Sequence, residues 1–162
     1  MSNMRFNVIR DTQEKKNFWT FANYAEVEQV IDCHLPTGDY TIEGLEDNLC
    51  IERKHNISEL AKNITEARFE RELKRMQDFY YPYLILEFGL DDVYNYPFVD
   101  SVHPIAKKKA KIRGPYIFKK LAEMTADYQI HLIPCGHPKY AENMVISIMK
   151  RVYEIEYKKS NI

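Results

Sequence analysis

The chain has 162 residues, of which 45% are apolar and 29% charged, and its net charge at neutral pH is −1. That length accommodates one domain with a core of useful size and is too short for two. So small a net charge excludes bulk attraction to a polyanion, and any anionic partner must be met by a local basic patch. Cys33, Cys50 and Cys135 stand singly, without paired ligand spacing, which argues for free thiols and against structural zinc. No window of about 18 apolar residues exists, and the N-terminus lacks the apolar stretch of a secretion signal, so the expectation is a cytoplasmic chain that spans no membrane.

In chain order, Met4 to Ile9 alternates loosely and reads as a short strand, followed by the polar loop Asp11-Thr12-Gln13-Glu14. Trp19 to Glu28 is helical or irregular, and Val30 to Leu35 a strand closed by the turn Pro36-Thr37-Gly38. Asp39 to Glu43 and Leu49 to Arg53 read as two strands of a hairpin joined by a turn-rich connection. From Ile57 to Phe79, apolar residues at three- and four-residue intervals predict one long helix, with Asn56 and Glu59 in the spacing of a capping box. Tyr83 to Phe88 is an apolar run typical of a buried strand, and Asp91 to Val102 an aromatic-rich loop. A helix over Tyr116 to Thr125, a strand over Gln129 to Ile133 and a helix over Ala141 to Tyr153 complete the series. Strands first, then alternating helix and strand, argue an α/β fold: a mixed central β-sheet flanked by helices, in one domain covering residues 1–162.

Hydrolysing a phosphodiester at neutral pH requires a nucleophile from water and a partner for the charge that develops. A hard divalent cation such as magnesium serves both needs and is bound by one or two carboxylates with water and substrate phosphate. A lysine beside it orients or deprotonates the attacking water. Glu52 and Lys54 are two apart in a strand and therefore share a face, while Asp39 opens the neighbouring strand of the hairpin. Arg53, between them, points away, and its carbonyl is available as a further oxygen ligand. An isolated Glu-Arg-Lys tripeptide is more often a solvated strand end, so these residues decide little without their context.

That context resembles a known family. The runs VIRDTQE, LPTGDYTI, LCIERK and ARFERELKRMQDFYYPYLILEF are similar, in this order, to the nuclease domain of the XPF family of structure-specific endonucleases. Asp11 and Glu14 match its Asp-x-x-Glu, Gly38-Asp39 its Gly-Asp, and Glu52-Arg53-Lys54 its Glu-Arg-Lys. Arg68 and Met76, the strand Leu84 to Glu87 and the closing segment from Gln129 to Pro134 also fit, so the likeness covers nearly the whole chain. The resemblance implies a restriction-endonuclease-like fold and cleavage of branched DNA, at flaps and forks, with Mg2+ or Mn2+. It implies metal ligation by Asp39, Glu52 and Glu14, a catalytic Lys54, and supporting roles for Arg53 and Asp11. Three departures stand out. Gln13 replaces the usual Arg before the first Glu, and Ser58 takes the place of the usual Asp after the tripeptide, with Glu59 one position on. Where family enzymes commonly carry a tandem helix-hairpin-helix module after the nuclease domain, the expectation here is a single nuclease domain without one.

Lys107, Lys108, Lys109, Lys111 and Arg113, continued by Lys119 and Lys120, form a stretch without acids, either a solvated surface or a set of DNA phosphate contacts. Tyr80, Tyr81, Tyr83, Tyr94 and Tyr96 surround the Leu84 strand and are read as packing more than as base stacking. The apolar face of the last helix, Met144, Val145, Ile148, Met149 and Val152, reads as core. The resemblance implies pairing through that region, hence a homodimer or a separate DNA-binding partner. Two alternatives to a junction-selective enzyme remain: a non-catalytic DNA-binding or dimerisation subunit, and a nuclease without structural preference.

Overall fold

Six strands form one sheet in the computed structural model, which describes residues 4–14 and 17–161: β1 (Phe6–Arg10), β2 (Val27–Asp32), β3 (Tyr40–Ile42), β4 (Leu49–Lys54), β5 (Tyr81–Leu86) and β6 (His131–Pro134). Residues 1–3, within the N-terminal stretch inspected for a secretion signal, lie outside the described residues. The order is β2-β1-β3-β4-β5-β6, with β3 antiparallel to both neighbours and all other pairings parallel. The sheet is mixed, as the sequence pattern predicts. β4 lies inside it, and all six of its residues are buried. A strand covered on both faces is ordinarily apolar throughout, so the charges of Glu52, Arg53 and Lys54 within it require an explanation.

Six helices accompany the strands among the described residues: α1 (Ile57–Ile64), α2 (Ala67–Met76), α3 (Leu90–Asn95), α4 (Pro104–Lys109), α5 (Gly114–Tyr128) and α6 (Pro138–Ser160). Strand alternation divides the interior into two cores, one on each face of the sheet. Cys50, Leu84 and Leu86 face a cluster built with α1, α2 and α5, including Leu60, Phe69, Met76 and Ile117. Leu49, Ile51 and Ile85 face Val145 and Met149 of α6, together with Trp19 and Phe21. Ile51 and Ile85 are fully buried, and each such side chain contributes about 1.5–3 kcal/mol relative to exposure.

Several boundaries differ from the sequence expectation. The single helix expected over residues 57–79 is two helices. Thr65 Oγ1 accepts the role of helix terminator by donating to the Lys62 carbonyl at 2.7 Å, and Glu66 then leaves helical geometry at φ −102°, ψ 130°. The loop expected over residues 91–102 contains α3, and α4 follows it; six residues are too few to display a helical period. β2 starts three residues earlier than expected because its parallel register with β1 begins at Val27. Residues 19–26 are irregular, anchored where the Phe21 amide donates to Glu142 Oε1 at 2.8 Å. α6 is longer at both ends than expected, with Pro138 in its first turn and His137 Nδ1 accepting the Lys139 amide at 3.1 Å. On its apolar face Val145, Met149 and Val152 are core, but Met144 is 41% exposed, a correction to its expected burial. No helix among the described residues is long and apolar enough to cross a membrane.

Candidate active site

Gly38 sets the first candidate side chain. Its φ of +83° is readily adopted only without a Cβ, and a Cβ there would lie 2.6 Å from Cys50 Sγ. The turn delivers Asp39 to the mouth of the β3–β4 pair. Its amide donates to the Ile51 carbonyl at 2.8 Å, and its own carbonyl accepts the Asp11 amide at 2.8 Å. Asp39 Oδ2 accepts the Arg53 backbone amide at 2.8 Å, which fixes the carboxylate against β4. Burial, then the negative charges of Glu52 and Glu14, raise the Asp39 pKa well above the ordinary value.

Glu52 and Lys54 lie on the face of β4 that meets α1 and α2. Lys54 Nζ donates to Glu52 Oε1 at 3.0 Å and stands 4.8 Å from the centre of the Phe69 ring. The other oxygen, Glu52 Oε2, is buried without a hydrogen-bond partner. Burial pushes the Glu52 pKa up to about 8; Lys54 opposes the rise and the nearby Glu72 carboxylate adds to it. Burial works to lower the Lys54 pKa, but Glu52 and Asp39 outweigh it, and the ammonium is held above its ordinary value.

Arg53 points to the opposite face, as strand alternation requires. Its guanidinium donates to Glu87 Oε1 at 2.9 Å and the Asn17 carbonyl at 2.7 Å, pairs with Glu14 Oε2 at 3.0 Å, and lies 5.5 Å from the Trp19 ring. Glu14 also accepts the Tyr40 hydroxyl at 2.9 Å, and burial raises its pKa. His55 Nδ1 lies 3.0 Å from Glu87 Oε2. A buried ionic cluster therefore backs the strand whose other face carries Glu52 and Lys54.

A cleft of about 360 Å³ opens over Asp39, Glu52 and Lys54, with Asp11 and His34 on one side and Arg68, Glu72 and Arg75 of α2 on the other. Asp11 braces the cleft wall: its Oδ1 accepts the Leu35 amide at 2.9 Å and lies 3.5 Å from His34 Nδ1. Of the residues named from the sequence, the structure gathers Asp11, Asp39, Glu52 and Lys54 around this cleft. It places Glu14 and Arg53 behind it. The basic segment lies on α4 and the loop to α5, where Lys108, Lys109, Lys111 and Arg113 are exposed and Lys107 is half-buried. None of these five lines the cleft. Lys119 and Lys120 are paired with Glu123 at 3.8 and 3.2 Å.

Glu72, Arg75 and His34 line the cleft but were not singled out by sequence reasoning. The available signal was spacing, since Arg68, Glu72 and Arg75 fall at i, i+4 and i+7 and so share one helix face. Arg75 Nε also donates to Thr37 Oγ1 at 3.2 Å, linking α2 to the turn that carries Asp39.

Among the described residues no group of three or more acidic, histidine or cysteine side chains stands ready to hold a metal ion. The donor set nevertheless fits a hard divalent cation, because Asp39 and Glu52 supply oxygen ligands and Glu52 Oε2 is buried with nothing to bind.

The fold is similar to two solved structures. XPF from Aeropyrum pernix superposes with a TM-score of 0.66 at 22% identity over 91% of this chain, and XPF from Aeropyrum pernix in complex with DNA gives 0.67 at 22% over 93%. The chain spans 65% and 66% of those two chains. The six-stranded mixed sheet with its flanking helices is therefore an XPF-like nuclease fold. The family model of the ERCC4 domain matches residues 9–148, and the chain belongs to that family, the XPF nuclease family. No curated protein matches the sequence.

Proposed function

We propose that this chain is a metal-dependent DNA endonuclease acting on branched duplexes. The observation that carries the reading is that Asp39, Glu52 and Lys54 share one cleft in which a buried carboxylate oxygen has no partner. Asp39 and Glu52 are the residues that would hold Mg2+ or Mn2+. When bound, such a cation supplies an ionised water and offsets charge on the phosphate. Lys54 is held in place by Glu52 and, with its pKa raised, is an ammonium at neutral pH. Its role is to neutralise charge building on the phosphoryl oxygens or to donate a proton, rather than to act as a resting base. Arg68 and Arg75, on the helix that lines the cleft, are suited to grip flanking phosphates. The exposed Lys108, Lys109, Lys111 and Arg113, together with Lys107, would engage the DNA backbone farther along. Arg53 and Glu14 support the site from behind, and Asp11 supports its wall. The fold of the Aeropyrum XPF–DNA complex agrees with a DNA substrate.

The test is nicking of a fork, a flap and plain duplex with Mg2+, with Mn2+ and with chelator. Metal-dependent cutting that favours the branched substrates is expected. Equal cutting of all three would mark a nuclease without structural preference, and binding without cutting would mark a non-catalytic subunit.

A further inference from the structure

Resting on the metal-dependent reading above, we propose that Glu72 of α2 is a third carboxylate ligand for the cation held by Asp39 and Glu52. Glu72 lines the same cleft as those two residues and forms no ion pair among the described residues. It stands close enough to Glu52 for its charge to act on that buried carboxylate. Lys54 holds Glu52 Oε1 only, which leaves the partnerless Oε2 in a cleft that Asp11, Asp39, Glu59 and Glu72 also line.

The start of α1 does not offer an uncommitted acid in its place. Position 58 is a serine, and the neighbouring Glu59 is engaged, its Oε2 accepting the His55 amide at 2.9 Å while its own amide donates to Asn56 Oδ1 at 2.8 Å. α2 presents the alternative. The break at residues 65 and 66 lets this helix run in its own direction, and Arg68, Glu72 and Arg75 line the cleft together. The Glu72 side chain already stands beside the Glu52 carboxyl, so the two can meet one cation with little movement. The flanking Arg68 and Arg75 make no ion pair with Glu72 among the described residues, their partners being Glu66 and Thr37.

Mn2+ binding to the full chain without DNA, followed by calorimetry and by the Mn2+ electron-spin signal, tests the assignment. Glu72→Gln should weaken binding about tenfold or more, and Glu72→Asp should weaken it less. Glu70→Gln, on an exposed face of the same helix, should leave it unchanged. In chelator, Glu72→Gln should melt no lower than the parent, since it removes a negative charge facing Glu52. Parent-like Mn2+ affinity in Glu72→Gln, with affinity lost in Glu52→Gln, overturns the role of Glu72 and leaves the metal-dependent reading intact. If the parent itself binds no Mn2+, both fall together.

Discussion

The backbone amide of Arg53 donates to Asp39 Oδ2 at 2.8 Å, while the guanidinium of the same residue meets Glu87 and Glu14 across the sheet at 2.9 and 3.0 Å. Arg53 thus belongs to both faces of β4, orienting a carboxylate in the cleft and neutralising two more behind it. Arg53→Met keeps the amide but takes the cation away from Glu14 and Glu87, leaving them Tyr40 and His55 as their remaining polar partners. Removing one member of a buried ionic cluster costs about 3–5 kcal/mol. Urea unfolding at pH 7 should show a loss of that order, and a change within about 0.5 kcal/mol would mean that the cluster is not supporting the strand.

The cleft residues should behave in the opposite way. Asp39→Asn removes a half-buried charge crowded by Glu52 and Glu14, so stability in chelator should hold or rise. Cleavage of the preferred branched substrate should fall by about 10² or more. Lys54→Met should be similarly inactive. Single-turnover rates and melting curves on the same preparations check this; parent-like rates in Asp39→Asn would remove the basis of the proposed mechanism.

The pH dependence of stability reports on Glu52. Its ordinary pKa of 4.5 rises to about 8 in the fold. Below 4.5 the carboxyl is protonated both folded and unfolded, and its contribution is fully present. Between those values the unfolded chain releases the proton while the folded chain retains it, so stability is lost as pH rises through about 8. The Asp39 and Glu14 shifts have the same sign. Urea titrations in chelator at pH 5, 6.5 and 8 should therefore give a falling series spanning a few kcal/mol. Glu52→Gln should flatten it. A series that rises with pH, or that Glu52→Gln leaves unaltered, contradicts the assignment.

For the basic segment, replacing Lys108, Lys109, Lys111 and Arg113 with Gln should weaken DNA binding alike for all sequences. If all four meet phosphates, the slope of log K against log salt should become shallower by roughly 3 to 4. Anisotropy titrations over a range of KCl measure it. An unchanged slope would identify these four as ordinary solvated side chains.

Much of this was legible in the sequence, and the parts that were not share physical causes. The Asp39 hairpin could be read because β4 alternates strictly, so Glu52 and Lys54 had to share a face and Arg53 the other. The Asn56 cap appeared as expected, although Glu59 reaches back to the His55 amide, one residue short of the full capping box. The helix break was hidden because apolar spacing continues across Thr65 and Glu66. Glu72 escaped notice because a charged helix face looks the same whether it borders solvent or a cleft. The partners of Glu14 could not be foreseen, since Tyr40, Arg53 and Glu14 meet only once three separate segments have assembled.

The position of β4 has a further consequence. Both its edges are paired, to β3 and β5, and both its faces are covered. The hydrogen-bonded groups beneath the cleft therefore have no route to solvent through fraying at a sheet margin. Amide exchange at residues 50–53 should proceed through opening of the whole molecule. Heat inactivation should then coincide with the loss of tertiary structure instead of preceding it.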